Sequence, residues 1–148
     1  PPATVIHISA RGTPADYVYP NMQLRVDGVV VKNWTVTASL QTYTYTHPTR
    51  LSIDQLQVHF TNDGTNRSHV DPGQRDRNLW VDKLVLDGVT YQSESVSTYS
   101  TGVFDAVNRC SPGYKQSEKL SCNGYFQYLS AKFTSIFTQM WAYSPTSG

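Results

Sequence analysis

The sequence predicts an all-β fold, a sandwich of two antiparallel sheets, and three observations carry that expectation. Apolar and polar residues alternate along several short runs, two Asp-Gly pairs each separate a pair of such runs, and a Thr-Tyr alternation marks a further strand. In chain order, Ile6, Ile8 and Ala10 give one face of a first strand, and Met22, Leu24 and Val26 one face of a second. Asp27-Gly28 then separates this run from Val29-Val30-Val31-Lys32, a strong hairpin signal because both residues tolerate the positive φ of a tight turn. Trp34, Val36 and Ala38 continue the alternation, with Trp34 assigned to the core. Thr42-Tyr43-Thr44-Tyr45-Thr46 suits a strand with one wet and one packed face, and Leu56, Val58 and Phe60 mark the next. Asp87-Gly88 joins Lys83-Leu84-Val85-Leu86 to Val89-Thr90-Tyr91-Gln92 as a second hairpin. Tyr125 to Leu129 fits a last strand, whereas Phe133, Ile136, Phe137 and Met140 also suit a helix, so Ser130 to Trp141 stays open. Short strands at this spacing bury their apolar faces best by pairing two sheets.

At 148 residues and 39% hydrophobic, the chain is long enough for one sizeable core, and a single domain over residues 1–148 is expected. Twelve Lys and Arg against eleven Asp and Glu leave a net charge of +1, which gives no electrostatic footprint for nucleic acid or an anionic membrane. No apolar run approaches the roughly 20 residues needed to span a bilayer, and the chain reads as soluble. Its start at Pro1-Pro2-Ala3 reads as lacking an original N-terminus. Cys110 and Cys122 flank a polar, turn-rich loop; a disulfide closing it is the preferred reading and two unpaired buried thiols the alternative. With the sequons at Asn33 and Asn66, this favours a secreted protein.

The chemistry concentrates between Phe60-Thr61-Asn62-Asp63 and Asp76-Arg77-Asn78-Leu79-Trp80-Val81-Asp82. Asp63, Asp71, Asp76 and Asp82 supply carboxylates and Asn62, Asn66 and Asn78 amide oxygens, the ligand type a hard cation such as Ca²⁺ prefers. The competing reading is a solvated loop whose Asp residues cap turns and pair with Arg75 or Arg77, and Asp71-Pro72-Gly73 is also a plain turn signal. Trp80, Tyr17 and Tyr19 are candidates for stacking on a sugar, with Tyr114 behind them. The four histidines are scattered, His59 reads as a surface residue, and no nucleophile motif is present, so no catalytic residue is assigned.

Ala10-Arg11-Gly12-Thr13, Leu24-Arg25-Val26-Asp27-Gly28, Trp34-Thr35-Val36-Thr37, Phe60-Thr61-Asn62-Asp63 and Asp76-Arg77-Asn78-Leu79-Trp80-Val81-Asp82, in that order, resemble the calcium-dependent xylan-binding carbohydrate-binding modules of families 60 and 36. Cys110 to Tyr128 resembles the disulfide-bearing C-terminal part of family 60, so the likeness covers roughly residues 4–128. It implies a jelly-roll sandwich that grips vicinal sugar hydroxyls through a bound Ca²⁺. By motif, Asp63 and Asp76 are the side-chain ligands and the Arg75 carbonyl a third, while Asn78 and Asp82 are motif residues of unassigned role, ligand or support. Two departures stand out. The segment Gly64 to Gln74 is longer than the family pattern, and Ala15-Asp16-Tyr17 replaces a glycine-glutamate element that serves a second, structural ion; either Asp16 substitutes or that ion is absent. The implied function is a non-catalytic, Ca²⁺-dependent module for a β-linked polysaccharide such as xylan, within a larger secreted protein. The alternatives are an interaction domain with a purely structural Ca²⁺ and a small polysaccharide hydrolase.

Overall fold

A computed structural model describes residues 2–130. The strands are β1 (Thr4–Ala15), β2 (Asn21–Val26), β3 (Val29–Thr35), β4 (Gln41–His47), β5 (Leu56–Phe60), β6 (Gly64–Thr65), β7 (Arg75–Leu86), β8 (Val89–Gln92), β9 (Tyr99–Ser100), β10 (Lys119–Leu120) and β11 (Gly124–Gln127). Among the described residues there is no α-helix, only single 3-10 turns at Ile53–Gln55 and Pro72–Gln74. One sheet runs β10-β7-β1-β4, with β6 and β8 also on β7; the other runs β3-β2-β5-β11-β9. The chain crosses repeatedly between the two, as a jelly-roll sandwich requires.

The alternation read from the sequence becomes the core. Ile6, Ile8 and Ala10 of one sheet meet Met22, Leu24, Val58, Phe60 and Phe126 of the other, all essentially excluded from solvent. Both hairpins form at the Asp-Gly pairs, with Asp27 at φ 50°, Gly28 at 81°, Asp87 at 46° and Gly88 at 85°. Positive φ at both central residues matches the right-handed twist of the flanking strands. Along β4, Tyr43 and Tyr45 lean on the core while Thr42, Thr44 and Thr46, alternating with them, face water. The run from Trp34 to Ala38 differs from expectation: β3 stops at Thr35, and Ala38 is exposed. There the backbone leaves its ladder, the Val36 N–H donating to the Pro20 carbonyl and the Thr37 carbonyl accepting from Gly12 as the chain crosses to β4. Past β11, Tyr128 is fully buried with its hydroxyl bonded to Ser93 Oγ at 2.8 Å. The open question over Ser130 to Trp141 lies, beyond Ser130, outside the described residues.

The long strand β7 organises everything that follows. Its inner edge pairs with β1, while its outer edge is shared in succession by β6 (at Asp76 and Arg77), β10 (at Leu79 and Trp80) and β8 (from Lys83). Opposite β1 the register slips between Val81 and Lys83, leaving Asp82 as the extra residue of a β-bulge.

Candidate functional site

At the start of β7, three loops are stitched together by side chains that satisfy backbone groups. Asn62 Oδ1 accepts the Asn21 N–H at 2.7 Å and its Nδ2 donates to the Tyr19 carbonyl at 3.1 Å, fixing the exit from β5. The Arg77 guanidinium donates to the carbonyls of Val18 (2.7 Å), Ala15 (2.9 Å) and Asn62. Thr13 Oγ1 donates to the Asp76 carbonyl at 2.8 Å and accepts the Asn78 N–H at 3.1 Å. The Asp63 N–H donates to Asn123 Oδ1 at 2.7 Å. Asn123 is held there by its neighbour Cys122, bonded to Cys110 in a disulfide with a Cα–Cα distance of 6.4 Å.

This frame brings Asp63, Asp76 and Asn78 to one place. Gly64 pairs with Arg77 and Thr65 with Asp76, so Asp63 arrives beside the first residues of β7. Asn78 Nδ2 donates to Asp76 Oδ2 at 3.0 Å, which turns the Asn78 carbonyl oxygen the other way. That oxygen and Asp63 Oδ1 are buried without a hydrogen-bond partner, although Asn78 is only 4% exposed. Burial pushes the Asp63 carboxyl above the usual carboxylate range; the Gly64 N–H and Arg77 pull it down, and the charge of Asp76 pushes it up again. An orphaned buried acceptor costs about 1–3 kcal/mol, and a hard cation is the kind of partner that satisfies such oxygens. The donors are all oxygens, with no thiolate or imidazole among them, which fits Ca²⁺. The Arg75 carbonyl already accepts the Asn66 N–H at 2.9 Å and keeps one lone pair.

The other candidates fall elsewhere. Asp71, expected as a cation ligand, caps the 3-10 turn, with Oδ1 accepting the Gly73 N–H at 2.9 Å; its turn signal prevailed. Asp82 is re-aimed by the bulge into the gap between β10 and β8, where Glu94 and Glu118 bring ligand oxygens within 4.8 Å of one another. Backbone bonds fix this gap: Val81 N–H to the Glu118 carbonyl at 2.8 Å and Ser93 N–H to the Asp82 carbonyl at 3.2 Å. Burial first, then Asp82 and Glu94, push the Glu118 carboxyl up. Sequence reading missed both glutamates, because only strand pairing on β7 brings them to Asp82.

Trp80 is flanked by its two cross-strand partners, with Arg11 Cζ 4.1 Å and Lys119 Nζ 5.2 Å from the ring centroid. Those cations compete for the ring face a sugar would use. Tyr19 is half-buried and its carbonyl accepts from Asn62, whereas Tyr17 is 70% exposed at φ 66°. The Tyr17 ring meets the edge of His69 at 5.3 Å, its N–H donates to Gln74 Oε1 at 2.7 Å, and Asp16 Oδ1 accepts Asn66 Nδ2 at 2.7 Å. The long Gly64–Gln74 segment thus folds onto the Ala15–Val18 turn, and Asp16 serves that packing. Tyr114 is half-exposed against the edge of Tyr99.

Residues 5–101 match the family model of the Ca-dependent, xylan-binding carbohydrate-binding modules, family 60. The chain belongs to this family. The matched stretch includes Asp63, Asp76, Asn78 and Asp82 of the module. A bifunctional xylanase/xylan deacetylase of Cellvibrio japonicus is 34% identical over 119 residues, which are 80% of the module and 15% of that protein. Among solved structures, the module vCBM60 in complex with galactobiose superposes with a TM-score of 0.63 at 32% identity, covering 84% of this chain and 97% of that one. The selenomethionine form of vCBM60, described with a circular permutation linking two families of calcium-dependent carbohydrate-binding modules, gives 0.61 at 33% identity, over 83% and 87%.

Proposed function

We propose that this module binds a β-linked polysaccharide such as xylan through a Ca²⁺ held by Asp63, Asp76 and Asn78, with the free lone pair of the Arg75 carbonyl completing the protein's share. The observation that carries the reading is the pair of buried, unpartnered oxygens on Asp63 and Asn78 beside Asp76, in a family described as Ca-dependent. A bound Ca²⁺ supplies open coordination positions that exchange water for sugar hydroxyls. The chain's own groups do the rest. Arg77 and Thr13 hold the backbone under the carboxylates, Asn123 fixes Asp63, and Asn78 orients Asp76 through its amide. Tyr17, on the Ala15–Val18 turn against which the Gly64–Gln74 segment packs, offers the most exposed ring among the described residues for stacking; Tyr19 lines the same turn, and Trp80 is the weaker contact because Arg11 and Lys119 share its face.

In this reading the module binds and does not cleave, and it attaches a larger secreted protein to its polymer, as the xylanase/xylan deacetylase relative and the disulfide suggest. Asp82, Glu94 and Glu118 are the place for a further, structural cation, in the role that sequence alone offered to Asp16. The test is titration with xylo-oligosaccharides in Ca²⁺ and in EDTA. Binding in Ca²⁺ alone is the expected result, and equal binding in both removes the metal from the mechanism.

A further inference from the structure

Among the described residues no helix covers the outward face of the second sheet, and the side chains there are unusual in kind. Register places Asn33, Gln23, His59 and Tyr125 in one row across β3, β2, β5 and β11. A second row runs Arg25, Gln57, Gln127 and Tyr99 across β2, β5, β11 and β9. Their neighbours Met22, Leu24, Val58 and Phe126 point into the core, so both rows face out.

We propose that this face is a second, calcium-independent binding surface for one neutral polysaccharide chain laid across the strands. The amides are held in place by one another: Gln23 Nε2 donates to Asn33 Oδ1 (3.1 Å), Arg25 Nε to Gln23 Oε1 (2.7 Å) and Gln57 Nε2 to Gln127 Oε1 (3.0 Å). Groups fixed before binding lose little freedom when a ligand arrives. Each bond consumes one function and leaves others. Among the described residues, the hydroxyls of Tyr125 and Tyr99, the terminal nitrogens of Arg25 and the Asn33 amide N–H₂ have no hydrogen-bond partner. These are donors, two of them also acceptors, of the kind sugar hydroxyls pair with. The Tyr125 ring is backed by the buried His59 ring, 4.8 Å away at 31°, which holds it in place as an apolar platform for the C–H face of a pyranose.

The charge pattern selects the occupant. The two rows carry a single guanidinium and no carboxylate or lysine, which suits neither a nucleic acid nor a strongly charged protein. Burial and then Arg25 hold the His59 imidazole down to about 4, so it is uncharged at neutral pH. Three strand spacings of roughly 4.8 Å give a row about 14 Å long, room for more than one sugar ring.

The experiment is a nitrogen-15 NMR titration of the Ca²⁺-loaded chain with xylohexaose and with cellohexaose, repeated in EDTA. Shifts at the side-chain amides of Gln23, Gln57 and Gln127 and at the Tyr125 backbone, persisting in EDTA and in Asp76→Ala, are expected. Tyr125→Ala should weaken this binding about tenfold while leaving Ca²⁺-dependent binding intact. Gln23→Ala, which removes one surface amide, gives an independent reading if the tyrosine variant folds poorly. No shift on this face with either sugar at millimolar concentration overturns the proposal, as do shifts that vanish in EDTA or in Asp76→Ala.

Discussion

Asp63, Asp76 and Asn78 sit where two strand ends meet; the short motifs marked Asp63 and Asp76 as candidate ligands and left the role of Asn78 open. Asp82 was visible too, but its partners were not: Glu94 follows β8 and Glu118 precedes β10, and only the shared edge of β7 joins them. Trp80 looked free for a sugar because nothing local hinted at Arg11 and Lys119. Asp76→Ala should abolish Ca²⁺-dependent sugar binding and leave the sandwich folded, read by calorimetry beside circular dichroism. Asn78→Ala removes the amide that orients Asp76 and one buried oxygen, and should weaken Ca²⁺ binding about 10–100-fold, the usual cost of losing a group that positions a ligand. His59 was expected on the surface; it faces outward but lies beneath Tyr125 and Gln57, with Arg25 adjacent. Its pKa falls from 6.5 to about 4, so between those values the unfolded chain binds a proton that the folded one refuses. Stability therefore holds above pH 6.5 and declines as pH falls toward 4. Urea unfolding across that range should show the slope, and His59→Gln should flatten it.

The strands themselves were the most legible elements, because period-two alternation reports a face directly and Asp-Gly reports a turn whose φ values the structure bears out. The limits were at the crossings. Val36 is buried like a strand residue yet its backbone bonds to Pro20, since the chain must leave one sheet for the other. The short strands β6, β9 and β10 have two residues each and no periodicity to read. The Cys110–Cys122 link acts at this scale as well, anchoring the segment that carries Asn123 to Asp63. By the chain-entropy estimate its reduction should cost about 2–3 kcal/mol of stability. It should also weaken Ca²⁺ binding, because Asn123 then holds Asp63 less firmly. Chemical denaturation with and without reductant, followed by Ca²⁺ titration of the reduced protein, checks both effects. Unchanged Ca²⁺ affinity on reduction would separate the disulfide from the site.

For the whole molecule, the sandwich keeps two kinds of surface apart. One end, at the start of β7, gathers buried oxygens and turn residues at positive φ; the outward face of the second sheet is regular, carries a single charge at Arg25 and is bonded within itself. A nearly balanced charge over the chain agrees with a module that recognises sugars, and the family match places it among carbohydrate-binding modules. We propose that what the sugar touches is a Ca²⁺ held by Asp63, Asp76 and Asn78. The most direct test is calorimetric titration of the metal-stripped protein with Ca²⁺, followed by xylohexaose into the Ca²⁺-loaded and the metal-stripped forms. A Ca²⁺ binding event is expected, with a strong sugar isotherm that appears only once Ca²⁺ is bound. Absence of Ca²⁺ binding, or an equally strong isotherm in both forms, would contradict it.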